Sequence, residues 1–293
     1  MFRGIATGLA AGVLLVLSAA RGQDDEVKIG TVLSMKPYMM EIARMIKQEK
    51  GLDISLSTEE SSVDAVNDLG EGTVRIAIIT KPLTLEDRSA FPGTAFDAIP
   101  VGMQVVAMGV ADDVWEAGVR TISKETMHDI YEHTITNWKQ IPHGPDENIS
   151  FYSVQQGEGV WEMFAEWLYG DNRKAPLPLK REQLGTNEDV RDTLEFTPGS
   201  IGPVPAAMAD GSHCHPLGID LGERVANPST QDVAGQYYPV VRPIFAVVAA
   251  RQPDLDLRVV TEYLTGPRGQ ALLKKGGDLG VDAVPKALTE PGD

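Results

Sequence analysis

Residues 74–80, VRIAIIT, are almost wholly apolar or β-branched, the pattern of a strand covered on both faces. Upstream of it the hydrophobic period changes several times. Residues 26–32 alternate weakly and predict a strand. Residues 38–50 place Met39, Ile42, Met45 and Ile46 at helical spacing, and Gly51 stands where a helix would close. Residues 52–56 predict a second strand, and Ser61-Ser62-Val63-Asp64 reads as a cap opening a short helix to Leu69. The order β-α-β-α-β predicts a doubly wound parallel sheet.

Two more long apolar runs, 99–110 and 239–250, bracket the middle of the chain. Their placement predicts two strands crossing between two lobes. The outer segments, 23–106 and 243–293, then make lobe 1, and 107–242 makes lobe 2. Within lobe 2 the pattern predicts a helix and turn over 121–138, a loop over 171–181, a short helix over 187–194 and a tight turn into a strand over 197–203. Helices are predicted over 257–264 and 266–275. Clefts between such lobes, near the carboxyl ends of strands, are where α/β proteins bind ligands.

One stretch of lobe 2 carries candidate chemistry. Residues 149–168, ISFYSVQQGEGVWEMFAEWL, open as a strand, turn through Gln155-Gln156-Gly157-Glu158-Gly159, and continue as a helix. Val160, Phe164, Trp167 and Leu168 are expected on its apolar face. A glycine turn into a helix aims free N–H groups and a positive dipole end at one point, which suits a small anion. The same layout also serves as a plain connection.

Bulk properties narrow the function classes. The chain has 293 residues, enough for two domains, and a net charge of −16. That charge argues against nucleic acid and anionic lipid as partners. It does not exclude a small anion held by local donors. Residues 1–22 read as a signal peptide: Arg3, then an apolar run from Ile5 to Leu17, then small residues through Gly22. The competing reading is a retained anchor. Export to the periplasm or the extracellular space is expected. Cys214 is the single cysteine, so no internal disulfide is expected.

No nucleophile elbow, zinc-protease motif or phosphate-loop motif is present, and an enzyme is not expected. The Asp112-Asp113 pair shows no base or metal partner in the sequence. His213-Cys214-His215 is the one metal-like cluster and would need a distant fourth ligand from His128, His133 or Asp210. A solvated loop is the reading adopted for it, with no metal and no cofactor.

Six phrases stand in order along the chain: Thr80-Lys81-Pro82-Leu83, Ile130-Tyr131 through Ile135-Thr136-Asn137-Trp138, Gly157-Glu158-Gly159-Val160 with Phe164, Pro198-Gly199-Ser200-Ile201-Gly202, Tyr238-Pro239-Val240 with Arg242-Pro243, and Gly266-Pro267-Arg268-Gly269-Gln270. Together they resemble the phosphate-binding proteins of Pst-type ABC importers (PstS-like), type II periplasmic binding proteins. The resemblance runs from about Ile29 to Gly280. It implies an α/β, two-lobed type II fold: a mixed or parallel sheet flanked by helices in each lobe, with two strands crossing between them. It also implies a small-solute ligand, phosphate or a related oxyanion first, an ABC permease as partner, and a monomer.

Mapped onto this sequence, the resemblance points to Ser34, Lys36, Ser61, Thr80, Lys81, Gln155, Gly157, Glu158, Gly159 and Val160 as the ligand set. Several positions depart from the family pattern. Val154 stands where an Arg is expected, Glu158 where a Ser is, Val160 where a Thr is, and Glu59-Glu60 where a serine-rich loop begins. A carboxylate about 4 Å from an anion repels it by roughly 4 kcal/mol at an effective dielectric near 20. A missing Arg removes about 1.5–3 kcal/mol more. The alternatives are a ligand-free scaffold or sensor, or a site for a non-phosphate solute.

Overall fold

The protein is described by a computed structural model covering residues 26–156, 159–176, 182–249 and 254–288. In chain order its elements are β1 (Val27–Val32), α1 (Lys36–Lys50), β2 (Ile54–Glu59), α2 (Ser62–Glu71), β3 (Ile76–Ile79), α3 (Leu85–Ser89), β4 (Phe96–Val110) and α4 (Asp112–Ala117). Next come β5 (Thr121–Ser123), α5 (Lys124–Tyr131), β6 (Ser150–Val154), α6 (Gly159–Tyr169), β7 (Glu182–Leu184), α7 (Asn187–Phe196), β8 (Ser200–Pro205) and β9 (His215–Asp220). The remainder are β10 (Val225–Ala226), α8 (Thr230–Ala234), β11 (Val241–Ala249), α9 (Leu255–Thr265), α10 (Pro267–Lys275) and β12 (Leu279–Gly280).

The N-terminal β-α-β-α-β order builds a parallel core: β1 pairs in parallel with both β2 and β3. β3 shows why 74–80 is apolar throughout. Ile76 and Ile78 pack with Met39, Ile42 and Ile46 of α1, while Ala77 and Ile79 pack with Ala65, Val66 and Leu69 of α2. Successive side chains point to opposite faces, and both faces carry a helix layer. Gly51 closes α1 in the left-handed conformation (φ 67°), and Ser61 caps α2 by accepting from the Asp64 N–H at 3.2 Å. β2 begins two residues later than the sequence pattern suggests.

The two long apolar runs pair with each other. β11 lies antiparallel to β4 from Val241↔Val105 to Ala249↔Phe96, and on its other side to β3. β4 then changes partner: from Val106 onward it pairs with β8. The sheet order β2-β1-β3-β11-β4-β8-β6-β7 therefore passes between lobes along β4. Just at that change, the Val106 N–H donates to Val240 O, and the buried Tyr238 hydroxyl donates to Val106 O at 2.8 Å. This is where the chain crosses between the two lobes.

Lobe 2 is built on aromatic packing. Tyr131, Phe151 and Phe164 meet with ring centroids 5.3–5.6 Å apart, which fixes α5, β6 and α6 together. Trp138 is fully buried and donates its indole N–H to Gly199 O at 2.9 Å. Gly199 itself needs to be glycine: φ is 67°, and a Cβ would stand 2.3 Å from Asn148 O. The sequence pattern left α3, α4, β7, β9, β10, α8 and β12 unassigned. All are short, the longest being six residues, so each shows too little period to read.

Candidate functional site

A cleft of about 820 Å³ opens between the lobes. One wall comes from lobe 1: Val32–Ser34, Glu60–Val63 and Thr80–Pro82. The opposite wall is one face of α6, namely Gly159, Glu162, Met163, Glu166 and Trp167. The floor is Pro239–Pro243, the entry to β11. The walls come close at one point, where a Cβ built on Gly159 would stand 3.1 Å from Ser34 Cβ.

Two helix starts, those of α2 and α6, and the 3₁₀ turn before α1 line this space. That turn, Leu33–Met35, has no side-chain cap from Val32. At the start of α1 itself the Lys36 N–H donates to Leu33 O and Pro37 has no N–H, so the donors a ligand could meet are those of the turn. The α2 start is occupied differently. Ser61 Oγ accepts from Asp64 N–H and donates to Asp64 Oδ2 at 2.6 Å, so it serves its own helix. Ser62 Oγ accepts the Thr80 N–H at 3.1 Å, which ties the α2 start to the loop after β3.

The charged side chains of the cleft are mostly committed to one another. Lys81 donates to Asp87 Oδ2 at 2.5 Å, and the Thr84 N–H and hydroxyl donate to the same oxygen at 2.8 Å each. Burial opposes the Asp87 charge, but these donors outweigh it and hold the carboxyl below the usual range. Arg242 reaches across from β11 to two glutamates one turn apart on α6: Glu166 at 2.9 Å and Glu162 at 3.4 Å. Among the described residues, Lys81 and Arg242 are the cations that line the cleft, against Glu60, Glu162 and Glu166.

Of the residues singled out in the sequence, Ser34, Ser61, Thr80, Lys81 and Gly159 line the cleft together. Lys36, Gln155 and Val160 are placed outside that lining. Gly157 and Glu158 lie outside the described residues. The four residues expected on the apolar face of α6 do pack together: Phe164 and Leu168 are buried in the lobe 2 core, and Val160 and Trp167 are half-buried against it. The covered face is wider than the pattern suggests, since Trp161, Met163 and Ala165 are also buried, and Trp167 lines the cleft as well. Trp161 packs in the core at 2% exposure, so it offers no stacking face to a ligand. Arg242, Glu162 and Glu166 were not singled out. The signal available was the i,i+4 glutamate pair on the helix that follows the glycine turn.

The His213-Cys214-His215 stretch is a solvated loop only in part: His213 is exposed in a bend. His215 opens β9, and Cys214 is buried, its thiol pushed up to about 12 by burial. The two imidazoles clasp one carboxylate: His215 Nε2 lies 2.7 Å from Asp112 Oδ1, and His213 Nδ1 lies 3.2 Å from Asp112 Oδ2. The histidines lower the Asp112 pKa, and Asp112 raises that of His213. Trp115 stacks on His215 with centroids 4.8 Å apart. Asp112 therefore does have base partners, which sequence distance concealed. The neighbouring Asp113 accepts from the Gly199 N–H. Among the described residues no group of three or more His, Cys, Asp or Glu side chains could hold a metal ion.

Comparison with known proteins agrees with this geometry. Residues 18–265 match the family model described as the PBP superfamily domain. The chain is 25% identical over 209 residues to the phosphate-binding protein PstS of Bacillus subtilis, and 24% identical over 219 residues to protein SphX of Synechocystis sp.. These matches cover 70–71% of this chain and 64% of each relative, a little under two thirds of its length. Among solved structures, a possible phosphate binding protein from Planctomyces limnophilus superposes with a TM-score of 0.71 at 13% identity, covering 90% of this chain and 94% of that one. An ABC-type phosphate transport receptor from Vibrio cholerae gives 0.65 at 17% identity, covering 86% and 99%. At such identities these two structures show the shared fold.

Proposed function

The chain belongs to the PBP superfamily, among its PstS-like members, and from that premise we propose that it is an exported solute-binding protein whose two lobes close on a small oxyanion, phosphate first. It would then deliver the solute, as a monomer, to the permease of an ABC importer. The observation that carries this reading is the convergence of the 3₁₀ turn before α1 and the starts of α2 and α6 on one cleft, with Ser34, Ser62 and Thr80 beside them. Helix starts of this kind favour anions through unpaired donors and the positive end of the dipole, by roughly 0.3–1 kcal/mol each at exposed sites. The crossing of β4 and β11 supplies the hinge for closure. Export is supported by the leader-like residues 1–22 and by the family. No described helix is long and apolar enough to cross a membrane.

Calorimetric titration of the ligand-stripped mature protein with phosphate, sulfate and arsenate tests the reading. Saturable binding of one oxyanion supports it. A flat response to all three rejects it. A second reading, a non-phosphate solute or a ligand-free scaffold, draws on Glu60, Glu162 and Glu166 in the cleft wall, which place more carboxylates than cations there. The same titration separates the two, because only the first predicts oxyanion binding.

A further inference from the structure

We infer that Arg242 is the cation that holds the bound oxyanion in this protein, released for that purpose from its pairing with Glu162 and Glu166. The inference rests on the oxyanion reading of the cleft and specifies which side chain makes it work. Among the described residues, the cations that line the cleft and could meet an anion there are Lys81 and Arg242.

These two cations differ in how firmly they are held. Lys81 is paired with Asp87, whose side chain is 7% exposed and which also accepts the N–H and hydroxyl of Thr84 at the start of α3. Removing the ammonium would leave a buried carboxylate short of its counter-charge, which is costly. Arg242 is paired with two carboxylates at the cleft surface, Glu162 at 35% and Glu166 at 57% side-chain exposure. Water can solvate both when the guanidinium leaves, and exposed pairs of this type contribute little. The Glu162 contact is also long, at 3.4 Å. Arg242 is thus the cation that can be exchanged.

Its position is suitable. Glu162 lies three residues beyond Gly159 on α6, so the two neighbour each other on the helix surface. A guanidinium beside Glu162 stands about one helical turn from the point where Gly159 faces Ser34. Arg242 also sits on the entry to β11, next to the Val240–Val106 crossing. A planar, multi-donor guanidinium matches an oxyanion better than an ammonium does. Glu162 and Glu166 then act as competitors that set the affinity: the anion must displace them.

The test is phosphate titration of the wild type, Arg242→Gln, Arg242→Lys and Glu162→Gln, each checked for native melting. Arg242→Gln should weaken binding at least tenfold, with Arg242→Lys intermediate. Glu162→Gln should tighten it several-fold, because one competitor is lost while the guanidinium stays. If Arg242→Gln fails to fold, Glu162→Gln alone decides the matter. Wild-type affinity in Glu162→Gln, or in a folded Arg242→Gln, overturns the inference while leaving the oxyanion site intact. Absence of oxyanion binding by the wild type overturns both.

Discussion

Gly159 and Ser34 belong to different lobes and face each other so closely that a methyl group on Gly159 would stand 3.1 Å from Ser34 Cβ. The contact joins the start of α6 to the uncapped entry of α1. At 3.1 Å the neighbour would have to give by a few tenths of an ångström to admit a methyl group.

Gly159→Ala should therefore weaken ligand closure without unfolding the protein. Alanine is a better helix former than glycine, by roughly 1 kcal/mol in a helix interior, so α6 itself should tolerate the change. The steric cost falls on the approach of the lobes. Small-angle scattering with and without saturating phosphate should show a smaller ligand-induced compaction than in the wild type. Equal compaction in both proteins would show that Ser34 moves aside freely.

The Lys81–Asp87 pair makes a pH prediction. Asp87 is buried, yet Lys81 and Thr84 hold its pKa below the ordinary value of 3.8. A carboxyl with a lowered native pKa stabilises the fold above its unfolded pKa and loses that contribution as pH falls through the native value. The contribution should thus be complete above about pH 4 and vanish in stronger acid. Asp87→Asn should cost roughly 1–3 kcal/mol near neutrality and much less at pH 2–3. Urea unfolding at several pH values measures it. A penalty that did not shrink in acid would assign the effect to lost packing.

Some of this architecture was legible from residues alone and some was not. The β3 run announced a two-sided strand because every position in it is covered, and Ser61 announced a cap because its chemistry is local. The two long apolar runs announced the crossing strands because only long elements keep a readable pattern. The His213–Asp112–His215 clasp was hidden, since its members lie 101 and 103 residues apart in sequence. Arg242 was visible only as part of a phrase; its partners Glu162 and Glu166 come from a helix 76–80 residues away. Trp167 packs against the lobe 2 core as its spacing implied, but helical periodicity does not show that the same side chain also lines the cleft.

The clasp itself can be tested by proton titration. Asp112 raises the pKa of His213 above its ordinary 6.5, through a hydrogen bond and through charge, with Glu195 adding to it. Asp112→Asn should move the His213 imidazole resonance midpoint to lower pH. Any loss of stability should come from the closer, less exposed His215 partner rather than from the exposed His213. An unchanged midpoint would mean that the carboxylate does not engage His213 in solution.

Asp278 offers the opposite pH sign. It lies one residue before β12, whose Leu279 pairs with Met103 on the strand that crosses between the lobes. Burial pushes its carboxyl up to about 7; the Tyr38 hydroxyl is raised mainly by its own burial, with the Asp278 charge adding to it. A raised carboxyl pKa means that the native state binds this proton more tightly than the unfolded chain does. Stability from this group is then present in acid and lost as pH rises from about 4 to about 7. Asp278→Asn removes the ionisation and keeps the shape. It should leave stability nearly unchanged at pH 4 and raise it by roughly 2–4 kcal/mol at pH 8, where the wild type must bury a charge. Melting temperatures of the two proteins from pH 4 to pH 8 should diverge over that window and run parallel above it. Parallel curves throughout would show that Asp278 is hydrated and titrates normally, and that the turn into β12 is open to water.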